Sequence, residues 1–210
     1  MRPALAAIVL LSVTLTGCAA VNLATRQPPE LYALTPKTTF DTDLPDLDRA
    51  GLRIETPTAA GGLNTTRIAL KPTPTRLQYY AGATWIEVLP LMVENLLIES
   101  FETTGSVEAL GPSATGGQPD WALRIYIREF QAEYDADTDD PPVVRARLQV
   151  RLLRMPRRDE VGVANFATEE PAASTRLEDI VQTMDSALGT TMRDLVEWTL
   201  RRIAELERQA

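Results

Sequence analysis

Residues 121–152 read WALRIYIREFQAEYDADTDDPPVVRARLQVRL, two runs of alternating apolar and polar side chains separated by an acidic turn. In the first run Trp121, Leu123, Ile125 and Ile127 face one way, and Ala122, Arg124, Tyr126 and Arg128 face the other. A period of two is the mark of a half-buried strand. Glu133, Asp135, Asp137, Asp139 and Asp140, then Pro141 and Pro142, break the pattern. It resumes with Val144, Ala146, Leu148, Val150 and Leu152 on the inner side and Arg145, Arg147 and Arg151 on the outer. The expectation is an antiparallel hairpin extended by a third strand over 161–168, its open face showing Arg124, Arg128, Arg145, Arg147 and Arg151.

On either side of this hairpin the apolar spacing becomes helical. Trp85, Val88, Leu89, Met92, Val93, Leu96 and Leu97 share one side of a stretch over 85–101. Pro90 is tolerated only in a first turn, so the helix is expected to start close to Ile86. Leu91 and Ile98 point away from the stripe, as a partly covered rim or a contact with another subunit. At the other end, Thr175 and Glu178 form a capping-box pattern ahead of Leu177, Ile180, Val181, Met184, Leu188, Met192, Leu195, Thr199 and Leu206. This predicts a long closing helix, with Gly189 marking a bend or a close packing contact. Upstream, short strands are expected over 31–34, 52–55 and 66–70, followed by an apolar stretch over 77–80. Pro36, Pro72 and Pro74 would end strands and Gly82 would supply a turn before the first helix.

The first thirty residues have a different logic. Leu15, Thr16, Gly17 and Cys18 follow Arg2 and an apolar run over 4–15, the pattern of a bacterial lipoprotein signal cut before cysteine. Small residues let the backbone enter a narrow protease cleft, and the Cys18 thiol takes the diacylglycerol group. Acyl chains such as palmitate contribute about 0.8 kcal/mol per buried methylene, so two or three hold firmly where one is marginal. The apolar run is shorter than the ~20 residues of a spanning helix. Cys18 is the only cysteine, so no internal disulfide can form. The expected organisation is a signal peptide over 1–17, a lipidated Cys18 with a flexible tether over 18–29, and one folded domain over 30–210. The 11 residues of 19–29 reach about 36 Å when extended at ~3.3 Å per residue. Ala19, not aspartate, follows the cysteine, which favours the periplasmic face of the outer membrane.

Acidic residues outnumber basic ones 29 to 21 and the net charge is −8, a balance that argues against nucleic acid as a partner. Histidine is absent, which removes the commonest general base and metal ligand, and no Gly-rich phosphate loop precedes a helix. Asp135, Asp137 and Asp139 share the spacing of a calcium loop, but glycine is missing at its sixth position and Ala146 stands where a glutamate is needed. A solvated turn is the plainer reading. No catalytic, cofactor or metal site is expected. For the five arginines two readings stand: they meet carboxylates of a partner or lipid phosphates, or they are balanced by nearby Asp and Glu.

Residues 77–105, LQYYAGATWIEVLPLMVENLLIESFETTG, carry Tyr79, Tyr80, Trp85, Glu87, Pro90, Phe101 and Glu102 in an order that resembles the ABC-type transport auxiliary lipoprotein family, which includes paraquat-inducible protein C. Segments 120–134, 142–153 and 165–199 are similar to that family's later strands and final helix. Val88 departs from the pattern, where relatives often carry proline. The resemblance implies an α+β fold, an antiparallel sheet packed against two helices in a single domain. It also implies a non-enzymatic role beside an ABC transporter or a mammalian cell entry (MCE) type lipid-transfer system, with a homo-oligomeric ring compatible with that role. Trp85 and Glu87 either brace the helix start or meet a partner. A lipid-binding carrier and an outer-membrane assembly lipoprotein are the alternative functions.

Overall fold

The computed structural model describes residues 28–48, 50–112 and 118–209. Cys18 and the signal sequence lie outside them. In chain order the elements are β1 (Glu30–Tyr32), β2 (Ala50–Ile54), β3 (Thr58–Ala59), β4 (Arg67–Thr73), β5 (Arg76–Trp85), α1 (Leu89–Thr104), β6 (Val107–Leu110), β7 (Trp121–Glu133), β8 (Val143–Arg154), β9 (Asp159–Pro171) and α2 (Leu177–Glu207).

The hairpin and third strand expected from the alternation are β7, β8 and β9, all antiparallel. All five expected inward positions of β8 are at most 1% exposed. In β7 the inward phase holds from Trp121 to Ile127 and then slips by one residue at a bulge beside Arg128, which turns Phe130 and Ala132 inward. A single inserted residue exchanges the faces of everything beyond it.

The rest of the sheet corrects the antiparallel expectation. The second edge of β7 is lined end to end by β2, β3 and β4, all running parallel to it, and β6 runs parallel to β2. Each parallel pair joins strands that are not consecutive in the chain, so the connection between them is long enough to return the chain to the same end of the sheet. The sheet is therefore mixed and nine-stranded.

Proline and glycine sit inside strands rather than at their ends. Pro72 lies in β4 beside a register shift, where the ladder is already irregular. In β5, Thr84 pairs with Arg67 but Tyr79 with Ala69, so residues 80–83 bulge, and Gly82 provides the positive φ of 71° that this needs. The strand then runs on to Trp85, and α1 begins at Leu89 rather than near Ile86, with Pro90 in its first turn. Its carboxy-terminal cap is Gly105, whose N–H donates to the Glu102 carbonyl. The expected capping box of α2 is absent: Arg176 occupies the N-cap without a side-chain bond, and its N–H donates instead to Ser174 Oγ at 3.0 Å.

Helix α2 covers β8 and β9, α1 covers β2, β3 and β6, and the two helices touch. Between the layers Phe101, Leu97, Leu123, Ile125, Ile127, Leu148, Leu152, Leu195 and Leu200 are all at most 1% exposed. The strand expected over 31–34 is instead β1 at Glu30–Tyr32, and residues 33–47 form a strap over both helices with Leu34 and Leu47 buried in the core. Thr35 donates to Asp185 from its N–H (2.6 Å) and its hydroxyl (2.7 Å). Lys37 N–H donates to Ser100 Oγ in α1 at 2.9 Å, and Asp41 N–H to Glu197 Oε1 at 3.0 Å. A Cβ on Gly189 would lie 3.9 Å from Lys37 Cδ, an ordinary van der Waals distance, so the close packing contact expected at this glycine is not found.

Arg201 donates to Asp41 at 2.7 Å and so holds the Asp41 carboxyl below its ordinary value of 3.8. A depressed carboxylate stabilises the fold above its unfolded pKa and loses that contribution as pH falls through the folded value. Amide protection over the strap, taken relative to the intrinsic exchange rate at each pH, should therefore fall as pH drops below about 4. In Asp41→Asn that fall should be largely absent; a strap that loosens identically in both proteins would assign the effect elsewhere.

Candidate docking surface

The outward face of β7 and β8 carries the arginines that the alternation placed there, each extended along its neighbours. Arg147 Nε lies 2.9 Å from Glu129 Oε2, its partner directly across the ladder. Arg145 Nε is 2.6 Å from Glu133 Oε2, and its Nη1 contacts Glu169 on β9. Arg124 and Arg151 are themselves opposite each other. Their repulsion is relieved because Arg124 turns to Glu55 at 3.1 Å and Arg151 to Glu160. Glu55 receives Arg158 on its other oxygen.

Burial alone would push the Glu133 carboxyl up, but hydrogen bonds from Lys71 and Gln131 and the charge of Arg145 hold it below its ordinary value. Glu55 likewise raises the pKa of Arg124. Exposed pairs of this kind contribute about 0–1 kcal/mol each. What they do together is present a flat, charge-balanced face. An anionic partner would have to displace a carboxylate at four of the five positions. Arg128, at the bulge, is the fifth: it donates to Gln149 Oε1 from Nε at 3.1 Å and lies 5.0 Å from the Tyr126 ring centre.

The residues of the 77–105 segment do not converge with this face. Tyr79 donates to the Gly62 carbonyl at 3.0 Å, with the Arg67 guanidinium 3.5 Å from its ring centre. Tyr80 and Tyr134 share a hydroxyl hydrogen bond of 2.9 Å, and burial together with that bond raises the Tyr80 pKa. Trp85 is 2% exposed, its ring 6.0 Å from that of Phe130. Glu87 precedes α1 and accepts from Asn95 Nδ2 at 3.2 Å. These contacts brace the β4–β5 hairpin and the start of α1. In the acidic turn, Asp135 Oδ1 accepts the Asp137 N–H at 3.0 Å.

The strap residues Thr35, Lys37 and Asp41 and the helix residues they meet escaped sequence reasoning, since nothing local in an Asp-rich loop names a partner 63 to 156 residues away. A recess of about 370 Å3 on the outer surface of α2 is lined by Asp194, Glu197, Trp198, Arg201, Arg202 and Glu205. It lies on the surface of the helix, not between helix and sheet.

The fold is thus a mixed sheet with two helices packed against it, its outward arginines engaged with neighbouring side chains. The same fold occurs in a protein of Xanthomonas campestris, 26% identical, with a TM-score of 0.77 over 86% of this chain and 99% of that one. An uncharacterized protein of known structure shares it at 13% identity and a TM-score of 0.59, over 81% of this chain and 97% of that one. The chain belongs to the family of ABC-type transport auxiliary lipoprotein components, whose family model matches residues 32–196. An uncharacterized protein of Bradyrhizobium diazoefficiens is 29% identical over 155 residues, which make up 72% of this chain and 40% of that protein. The chain thus spans less than half the length of that curated relative.

Proposed function

We propose that this protein is a non-enzymatic auxiliary component of an ABC or MCE-type intermembrane lipid transport system, anchored through Cys18 to the periplasmic face of the outer membrane. The observation that carries this reading is the family match over 32–196. Its mechanism is positioning: an anchor that confines a docking body to a membrane raises its effective concentration at the transporter, so a modest contact suffices. The lipid-carrier alternative needs a cavity between sheet and helices. That space is filled by Leu97, Phe101, Leu123, Ile125, Leu148 and Leu195, which favours docking.

Capture of the full chain from detergent-solubilised envelope, followed by mass spectrometry, should return an ATPase, a permease and an MCE protein together. Recovery without any transporter subunit under cross-linking would remove the proposal, and stoichiometric phospholipid on the isolated protein would replace it with the carrier.

If the arginine face makes the transporter contact, Arg147→Glu should weaken the complex by about tenfold and reduce its salt dependence. It sets a second carboxylate against Glu129, so a thermal melt should accompany it. Affinity unchanged at low and high salt would release this face from the contact.

A further inference from the structure

Strand β9 pairs along its inner edge with β8, and among the described residues no strand lies on its outer edge. The flanks on the other side of the sheet end in short strands, three residues in β1 and four in β6, whereas β9 has 13. Long unpaired edges are templates for further pairing, and proteins usually blunt them with lysine, proline or bulges.

The phase of β9 shows which groups are free. Ala172 N–H donates to the Pro142 carbonyl at 2.9 Å, and the register places Pro171 opposite Val143. Bonded and non-bonded pairs alternate in an antiparallel ladder. The even-numbered residues therefore bond to β8, and Val163, Asn165, Ala167 and Glu169 turn N–H and C=O outward. Both ends of this row are closed. The Val161 carbonyl accepts from Arg202 Nη2 at 3.0 Å, and Pro171 has no N–H to offer. The open window is 163–169, about 23 Å at ~3.3 Å per residue, the length of one seven-residue strand.

Side chains along the window suit an apolar guest. Val163 is 46% exposed on the face away from α2, and Phe166 on the other face packs edge-on against Trp198 at 5.9 Å between ring centres. Acidic residues bracket both ends, Asp159 and Glu160 before the window and Glu169 and Glu170 at its close; Glu160 and Glu169 already meet Arg151 and Arg145, so Asp159 and Glu170 are the carboxylates left for a cationic guest. Antiparallel pairing of two copies would bring Asp159 of one toward Glu170 of the other at each end, which disfavours a second copy.

We propose that the outer edge of β9 between Val163 and Glu169 receives an extended segment of another protein, apolar at its centre and bearing Lys or Arg at both ends, as an added strand. The inference goes beyond the transporter reading and holds for whichever envelope protein supplies the strand.

The test uses the detergent-purified full chain and a fluorescent nine-residue peptide of alternating valine and threonine with two lysines at each end. Saturable binding is expected, with slowed amide exchange at Val163, Asn165, Ala167 and Glu169. Asn165→Pro removes an outward N–H without touching the β8 ladder and should weaken binding by about tenfold or more. Should that variant unfold, Ala167→Lys, a charged edge, should weaken it similarly. A peptide with glutamates in place of the lysines should also bind about tenfold less well.

The proposal is overturned by equal binding of the two peptides, by binding indifferent to both edge variants, by protection elsewhere, or by no binding at all. Dimers in the ultracentrifuge that Asn165→Pro dissolves would assign the edge to a second copy instead. Because no transporter is present, these outcomes are independent of the co-purification result.

Discussion

Replacing Phe101 by alanine should lower the unfolding free energy by about 3–5 kcal/mol, the range for removing a fully buried aromatic side chain. Phe101 is 0% exposed in the last turn of α1, which packs against β2, β3, β6 and α2. The cavity would open where the helices meet the sheet, and a loss of this size is a large fraction of the ~5–15 kcal/mol that holds an ordinary domain. At roughly 2–4 °C per kcal/mol for a chain of this length, the melting temperature should fall by about 6–20 °C. Urea unfolding checks the prediction, with the midpoint moving and the slope unchanged. Leu91→Ala is the control: at 39% exposure in the same helix it should shift stability by about 0.5 kcal/mol or less. Equal losses at the two positions would contradict the placement of α1.

The second large effect concerns the anchor. With Cys18→Ser no thiol remains to be acylated, and among the described residues no helix is long and apolar enough to cross a membrane. The proposal therefore expects the variant to move almost wholly from the membrane fraction to the soluble one. The mature wild-type chain should weigh more than its polypeptide by the mass of its acyl and glyceryl groups. Each methylene removed from the bilayer loses about 0.8 kcal/mol, so the loss of two or three chains leaves no comparable attachment. Persistence of Cys18→Ser on membranes after a high-salt wash would mean the chain is held there by something other than lipid.

What could be read in the amino-acid order was what depends on near neighbours. The alternation of 121–127 and 144–152 and the helical spacing of 177–206 each report one element's own buried side, and the structure buries those positions except Leu177 and Leu206 at the helix ends, which are half-buried. Legibility failed where a distant strand decides. The slip at Arg128 exists only relative to β8, so Phe130 and Ala132 could not be assigned to the inner face from β7 alone. Pro72 and Gly82 were read as stops because, in isolation, proline lacks a donor and glycine frees the backbone; paired, they sit at irregular positions inside β4 and β5.

The parallel runs of β2, β3 and β4 against β7 join residues some 60 to 70 positions apart, beyond any local pattern. The arginine face was partly legible: its residues were found, but Glu55 as the partner of Arg124 and Glu160 as the partner of Arg151 follow only once the strands are in register. Of the 77–105 segment, the sequence named the residues, and the structure shows what they hold.

The clasp of Thr35 on Asp185 has a mechanical corollary. A pull on the chain ahead of residue 30 falls first on β1, three residues at the edge of the sheet beside β5, then on the Thr35 bonds to Asp185, on Lys37 to Ser100 and on Asp41 to Glu197. Tension is thus shed in successive small steps at one sheet edge and along two helices before it reaches β7, β8 and β9.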